Sequence, residues 1–285
     1  MVPARGKKFL FIHVMKTGGT SFSDLVRVNF DDDTRYPDAC LPPASHLMHR
    51  MEAYMYVPRF IADVNKLDEQ LHIVRAHIPY AVRSLLKGSY EALTILRQPV
   101  ERTVSHLKHC RKYHKEHQNM DLETIYEQSW FKATFLQNYQ TKIFSMSSEE
   151  AMTRSPFPDD SPALPSPEEM KNGSPLSPEA LEFTQQNPAR FSLELFAPST
   201  GVITIDEQRL QTAKNNLSAI DLVGVSDRYD RFLLELRDRY NWKLQSIPKR
   251  NVSTSQSVSP EFRKRIALDN AADMELYEYA TSLAP

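Results

Sequence analysis

The sequence predicts an α/β protein: a central, mostly parallel sheet with helices on both faces, three layers in all. Three observations carry this. Short runs of β-favouring apolar residues alternate with segments of helical spacing along most of the chain. A glycine pair, Gly18-Gly19, punctuates the first strand-to-helix transition. A later strand ends in Arg97-Gln98-Pro99, where the proline suits the first turn of a helix because no backbone N–H is needed there.

The elements follow in order. Lys7–Met15 reads as a buried strand, since Phe9, Leu10, Phe11, Ile12 and Val14 are close-set and β-favouring. Thr20 or Ser21 offers a helix N-cap, and Phe22, Leu25, Val26 and Asn29 continue at helical spacing. Leu71–Ala76 is a second strand, running into His77, and Ala92–Leu96 a third. Val100, Val104 and Leu107 form the apolar stripe of the helix after Pro99. Near the end, Asp206–Ile220 is amphipathic, Leu222–Val225 is a short buried strand and Asp227–Tyr240 is a charged helix. Ser259-Pro260-Glu261 starts one long closing helix that reaches Leu283. The middle differs: from about 146 to 200 the chain is rich in Pro and Ser, with room for one helix over Pro178–Gln186. The expected organisation is a single domain over residues 1–285 carrying that insertion, which could be a lid or an exposed excursion.

Composition narrows the function. With 35 Lys+Arg against 36 Asp+Glu the chain is close to neutral, so broad electrostatic capture of nucleic acid or anionic lipid is not expected; a local basic pocket stays open. No run approaches the ~18 apolar residues of a membrane span. The apolar stretch Phe9–Val14 is followed by Lys16, which is wrong for a signal-peptide cleavage site. Cys40 and Cys110 are the only cysteines, too few for a Cys-type zinc site or a disulfide scaffold, so a reducing cytoplasm is the expected compartment.

Two segments carry chemistry. Lys16-Thr17-Gly18-Gly19-Thr20-Ser21 joins glycines that let N–H groups approach a ligand, a helix N-terminus, three hydroxyls and a mobile positive charge. That is a phosphate cradle; the plainer alternative is a turn before a well-capped helix. A Walker loop is absent, since lysine precedes the glycines. Arg97 stands at the carboxyl end of a strand, where open α/β sheets bind ligands, and Ser105 follows eight residues later on the next helix. An arginine fork and a hydroxyl can grip one phosphate from two directions, although each also occurs as a plain capped turn or exposed helical serine. His106, His109, His114 and His117 fall on or after a basic helix. No carboxylate pattern supports a metal there, so a solvated face and no metal are expected. His13, on the first strand, is expected to pack, and Tyr36, Tyr54, Tyr56 and Tyr80 could line a pocket or simply pack.

Together the two segments resemble the sulfotransferases that use 3′-phosphoadenosine-5′-phosphosulfate (PAPS), in the branch containing heparan sulfate 2-O- and 6-O-sulfotransferases and bacterial relatives. Phe11 to Ser21 is similar to the family's 5′-phosphosulfate loop, with Met15 where proline is usual. Leu96-Arg97-Gln98-Pro99-Val100-Glu101-Arg102 with Ser105 is similar to its 3′-phosphate motif, with Gln98 where Asp is common. Leu222 to Asp227 and Met274 to Tyr279 resemble its late strand and closing helix. The resemblance implies a P-loop-like three-layer α/β/α fold and metal-free transfer of a sulfuryl group from PAPS to an acceptor hydroxyl, of a saccharide or small metabolite, leaving adenosine 3′,5′-bisphosphate (PAP). It implies that Lys16, Thr17, Gly18, Gly19, Thr20 and Ser21 hold the 5′ end of the donor, with Lys16 stabilising the leaving group. Arg97 and Ser105 hold the 3′-phosphate, and Lys249 and Arg250 complete that grip. It also implies that His77, in a segment like the family's catalytic-histidine segment, is the base. Ten residues before the first motif leave little room for the anchor of Golgi members, so a bacterial-type enzyme is expected. The competing readings are a kinase-like phosphotransferase, which needs Mg²⁺ and prefers ATP, and a non-catalytic PAP-binding module, which transfers nothing.

Overall fold

A computed structural model of the chain describes residues 6–41, 45, 47–153, 176–186, 193, 195–244 and 258–285. Five strands form one sheet: β1 (Phe9–Ile12), β2 (Arg35–Tyr36), β3 (Ile73–Ala76), β4 (Glu91–Leu96) and β5 (Leu222–Val225), in the order β2-β3-β1-β4-β5. Every pairing is parallel. The two-residue β2 carries too short a pattern to be read from sequence; β1, β3 and β5 lie within the predicted runs, and β4 begins one residue before its run, at Glu91.

The alternation of side chains along the strands builds two cores. Phe9, Phe11, Ile73, Leu93, Ile95 and Leu222 face one way, onto Phe22, Leu25 and Val26 of α1 (Gly19–Asn29) and onto Phe232, Leu236 and Tyr240 further along the chain. Leu10, Ile12, Val74, Ala76, Ala92, Leu96, Val223 and Val225 face the other way. That second core takes in α2 (Leu47–Met55), α3 (Val57–Lys66), α4 (Pro99–Tyr113), α5 (Tyr139–Ser145) and α6 (Glu207–Ser218). Strands buried on both faces are what an all-parallel sheet requires, and they explain the near-continuous apolar runs of the sequence. The predicted three layers are present.

Toward the end of the chain come α7 (Tyr229–Tyr240), α8 (Pro260–Asp269) and α9 (Ala271–Leu283). The closing segment is thus two helices and not one. Asn270 breaks it: its side-chain amide donates to Ile266 O, 2.9 Å away, and its carbonyl accepts from the Asn138 N–H at 2.8 Å. Such local bonding by an asparagine competes with helix continuation. The first helix also starts differently from expectation. Its N-cap is Gly18, in the left-handed region with φ 108°, and no side chain caps it; Thr20 and Ser21 lie inside the first turn. The predicted helix Pro178–Gln186 is present, while most of the insertion lies outside the described residues. No helix among the described residues is long and apolar enough to cross a membrane.

Because β3, β1 and β4 are adjacent and parallel, the segments that leave their carboxyl ends emerge on one edge of the sheet. The chain after β1 turns toward β2 and the chain after β4 toward β5. The crevice between β1 and β4 is therefore the switch point at which open α/β sheets bind ligands. Gly224 keeps α7 close to β5, since a Cβ there would stand 2.5 Å from a Phe232 ring carbon. Gly224→Ala is expected to lose about 1–3 kcal/mol in urea unfolding. Phe232→Leu in the same chain should recover part of that loss, as a double-mutant cycle would show.

Candidate active site

The turn after β1 is built to leave donors available. Lys16 adopts a positive φ of 69° and Gly18 one of 108°, folding Thr17 inward. The Thr17 hydroxyl donates to Val14 O at 2.9 Å and is fully buried, so it holds the turn. A Cβ on Gly18 would meet nothing within 4 Å, whereas one on Gly19 would run into the His13 ring, 1.7 Å from Nε2. Gly19 is therefore a glycine because the imidazole lies against its backbone. The uncapped first turn of α1, with Thr20 exposed and Ser21 half-buried, points its positive end outward beside Lys16.

The two predicted segments meet. Arg97 Nη1 donates to the Lys16 carbonyl at 3.2 Å, joining residues 81 apart in sequence. The Arg97 main chain is itself clamped: its N–H donates to Gln140 Oε1 at 3.0 Å, and Gln140 Nε2 donates to its carbonyl at 2.9 Å. Gln140 in turn is held by Asp273 on α9, which accepts from the Gln140 and Thr141 N–H groups and the Thr141 hydroxyl. Among the described residues neither Lys16 nor Arg97 forms an ion pair. Burial lowers the pKa of Lys16, and the neighbouring Arg97 charge lowers it further. Burial likewise lowers Arg97, against the pull of Glu101 and Asp227. Two half-buried cations beside a helix N-terminus are the electrostatic description of an anion site.

His77 completes the edge. It follows β3, and its Nδ1 lies 2.8 Å from the His13 carbonyl. A carbonyl only accepts, so Nδ1 carries the hydrogen and Nε2 the lone pair. Burial drives the His77 pKa down to about 4, with Lys16 and Arg75 adding to the shift and the His13 carbonyl opposing it. The ring is thus neutral, oriented and basic at Nε2 throughout the neutral range. The His13 and His77 rings lie 4.1 Å apart, and burial and the surrounding positive charges keep His13 neutral as well.

A family model described as the sulfotransferase family matches residues 1–280. The chain belongs to the sulfotransferase family. No curated protein sequence matches it.

In this sulfotransferase the other predicted residues fall into place unevenly. Ser105 is half-buried on α4, two turns after Arg97. Lys249 and Arg250 lie outside the described residues. Arg75 is buried and engaged elsewhere, donating to the Ser23 hydroxyl of α1 and lying 5.6 Å from the Tyr54 ring, so it anchors α1 to β3. Tyr54 stands 6.2 Å from His77 by ring centroids, while Tyr36 packs in the core and donates to Ala53 O. The expected solvated histidine face is corrected: His106, His114 and His117 are buried, and only His109 is exposed. The reason is that α4 is covered by a later segment, with His106 edge-on to Phe131 at 5.4 Å and His117 5.9 Å from the same ring. Sequence reasoning missed Gln140 and Asp273, whose roles rest on contacts between distant segments that no local pattern signals.

The lowered His77 pKa fixes a sign for acid stability. The unfolded chain binds its proton near pH 6.5 and the folded chain only near 4, so folding stability is intact above 6.5 and falls as pH drops toward 4. His77→Gln should make the loss between pH 7 and pH 5 smaller by about 2 kcal/mol in urea unfolding. In ¹⁵N NMR of the wild-type chain, His77 should titrate well below pH 6 as the Nδ1–H tautomer; an ordinary midpoint would contradict the burial argument.

Proposed function

We propose that the protein moves a sulfuryl group from PAPS to an acceptor hydroxyl, with the donor held across the β1–β4 crevice and His77 as the base. The observation that carries this reading is the hydrogen bond from Arg97 to the Lys16 carbonyl, which joins the glycine turn and the strand-end arginine in one cationic site. A donor with phosphates at the 3′ and 5′ positions of its ribose needs two such cationic points on one rigid edge. The resemblance of both motifs to the branch that sulfates saccharides supports a saccharide hydroxyl as acceptor.

The residues then divide the work. N–H groups of the Gly18-Gly19 turn and the first turn of α1, with the Thr20 and Ser21 hydroxyls, receive the 5′-phosphosulfate end. Arg97, its backbone locked by Gln140, receives the 3′-phosphate together with Ser105. During transfer the acceptor oxygen bonds to sulfur as the bond from sulfur to the bridging oxygen breaks. The acceptor proton goes to His77 Nε2, and the charge that collects on the departing 5′-phosphate of PAP is stabilised by the Lys16 ammonium. His77 is pre-set for this role, since its hydrogen is committed to the His13 carbonyl and its lone pair is not.

Labelled PAPS with a panel of saccharide and small-molecule acceptors tests the reading. Lys16→Ala is expected to lower kcat by about 10²–10³-fold, the usual size of a lost leaving-group or oxyanion contact. His77→Ala is expected to lower it by about 10²–10⁴-fold. Arg97→Ala should weaken PAP about 10-fold or more while leaving adenosine 5′-phosphate binding nearly unchanged. Equal losses for the two nucleotides would remove the 3′-phosphate contact. Mg²⁺-dependent transfer from ATP would favour the phosphotransferase reading, and tight PAP binding without transfer to any acceptor the binding module.

A further inference from the structure

We propose that Cys110, His114 and His117 form a structural metal site that takes Zn²⁺ through one thiolate and two imidazole nitrogens. Their donor atoms all lie within 4.8 Å of one another, and all three residues are buried. The trio is not among the crevice residues assigned above, although Cys110 is near enough to Lys16 for their charges to interact. Donors bonded to one tetrahedral Zn²⁺ at ~2.0–2.3 Å sit roughly 3.4–3.7 Å apart, so small side-chain rotations close the trio on an ion.

The backbone explains why the three meet. Cys110 is in the last turn of α4, and His114 ends that helix with its N–H on Cys110 O at 2.8 Å and an extended backbone, φ −100° and ψ 121°. A tight 3₁₀ turn, Lys115–His117, then brings His117 back, its N–H donating to His114 O at 3.0 Å. The C-x₃-H-x₂-H spacing is therefore wound onto one helix end, and the His114 and His117 rings lie nearly parallel with centroids 5.4 Å apart.

Groups behind the trio have the character of metal supports. His117 Nε2 lies 2.9 Å from Gln128 Oε1, and Gln128 Nε2 is directed at Met120 Sδ, which sets the amide so that its oxygen faces the ring. His117 therefore donates through Nε2 and presents the Nδ1 lone pair, the state a ligating histidine needs. Glu116 Oε1 lies 3.8 Å from His114 Nδ1. Both Glu116 oxygens are buried and accept no hydrogen bond among the described residues. A buried carboxylate of that kind is costly alone. A small shift that brought it within hydrogen-bond reach of Nδ1 would set it behind a histidine ligating a dication through Nε2, as carboxylates stand behind zinc-bound histidines. The charges balance: Zn²⁺ against the Cys110 thiolate and the Glu116 carboxylate, with the thiol proton released to solvent on binding. One soft sulfur with two imidazoles suits Zn²⁺ over Mg²⁺ or Ca²⁺, and water can take the fourth position. The ion would pin the end of α4 to the turn that follows it.

The full chain, purified without added metal and again after dialysis against Zn²⁺, is assayed for metal by mass spectrometry. The expected result is close to one Zn²⁺ per chain, with one sulfur and two imidazoles in the zinc X-ray absorption spectrum. Cys110→Ser and His117→Ala should lose the ion, and His109→Ala, exposed on the same helix, should keep it. Because either substitution could unfold the chain, Co²⁺ titration of the unaltered protein provides the second reading. A 1:1 end point with a thiolate-to-cobalt charge-transfer band and tetrahedral visible bands supports the site. Folded wild-type chain that takes up neither ion stoichiometrically overturns the proposal, and so does bound cobalt without the thiolate band.

Discussion

Positive charge that no carboxylate among the described residues pairs directly is the constraint around which this sheet edge is organised. Lys16, the Arg97 guanidinium and the open N-terminus of α1 crowd into the crevice between β1 and β4. Burial and mutual repulsion both work against this cluster in the ligand-free chain, as the lowered pKa of Lys16 records. The fold holds it in place through the parallel sheet, whose register aligns Ile12 with both Ala76 and Thr94 and so fixes where the three exits lie. An anion that matches the cluster relieves the repulsion, so binding and folding stability are linked at this edge.

Holding the arginine requires a second layer of polar structure inside the protein. Asp273 is fully buried, yet three donors from two residues of another segment, Gln140 and Thr141, end on it. Arg102 is fully buried nearby, donates to the Phe135 and Leu136 carbonyls and lies over the Tyr139 ring at 5.0 Å. Burial raises the Asp273 pKa and the Arg102 charge pulls it back down. Such a network costs desolvation energy and returns rigidity. Its yield here is a fixed main chain at Arg97, one helix away from α9.

Much of the layout was legible because it is written locally. Four of the five strands show as apolar runs, Pro99 announces α4, and the glycine pair marks the turn at which α1 begins. The cradle and the strand-end arginine were likewise readable as candidates, since each is a short segment with its own chemistry. What was not legible depends on partners far away. The Thr17 hydroxyl could face a ligand or fold inward, and only the turn geometry decides that it bonds to Val14. Asn270 looks like a helical residue until Asn138 supplies a bond for its side chain. The histidines on and after α4 have a spacing anyone can read, but their burial under Phe131 is a tertiary fact. The same spacing reads as a wet face or as a closed cluster depending on what covers it.

The partner that orients His77 is the carbonyl of residue 13, a main-chain atom. No side-chain replacement at that position deletes it, so the tautomer of His77 is inherited from the path of β1 and not from any one residue's identity. Position 13 is then tied to Gly19 and not to His77: only the imidazole ring stands where a Cβ at 19 would go, so the two positions can change together. Libraries that randomise this edge should accept a side chain at position 19 only together with a smaller residue at position 13.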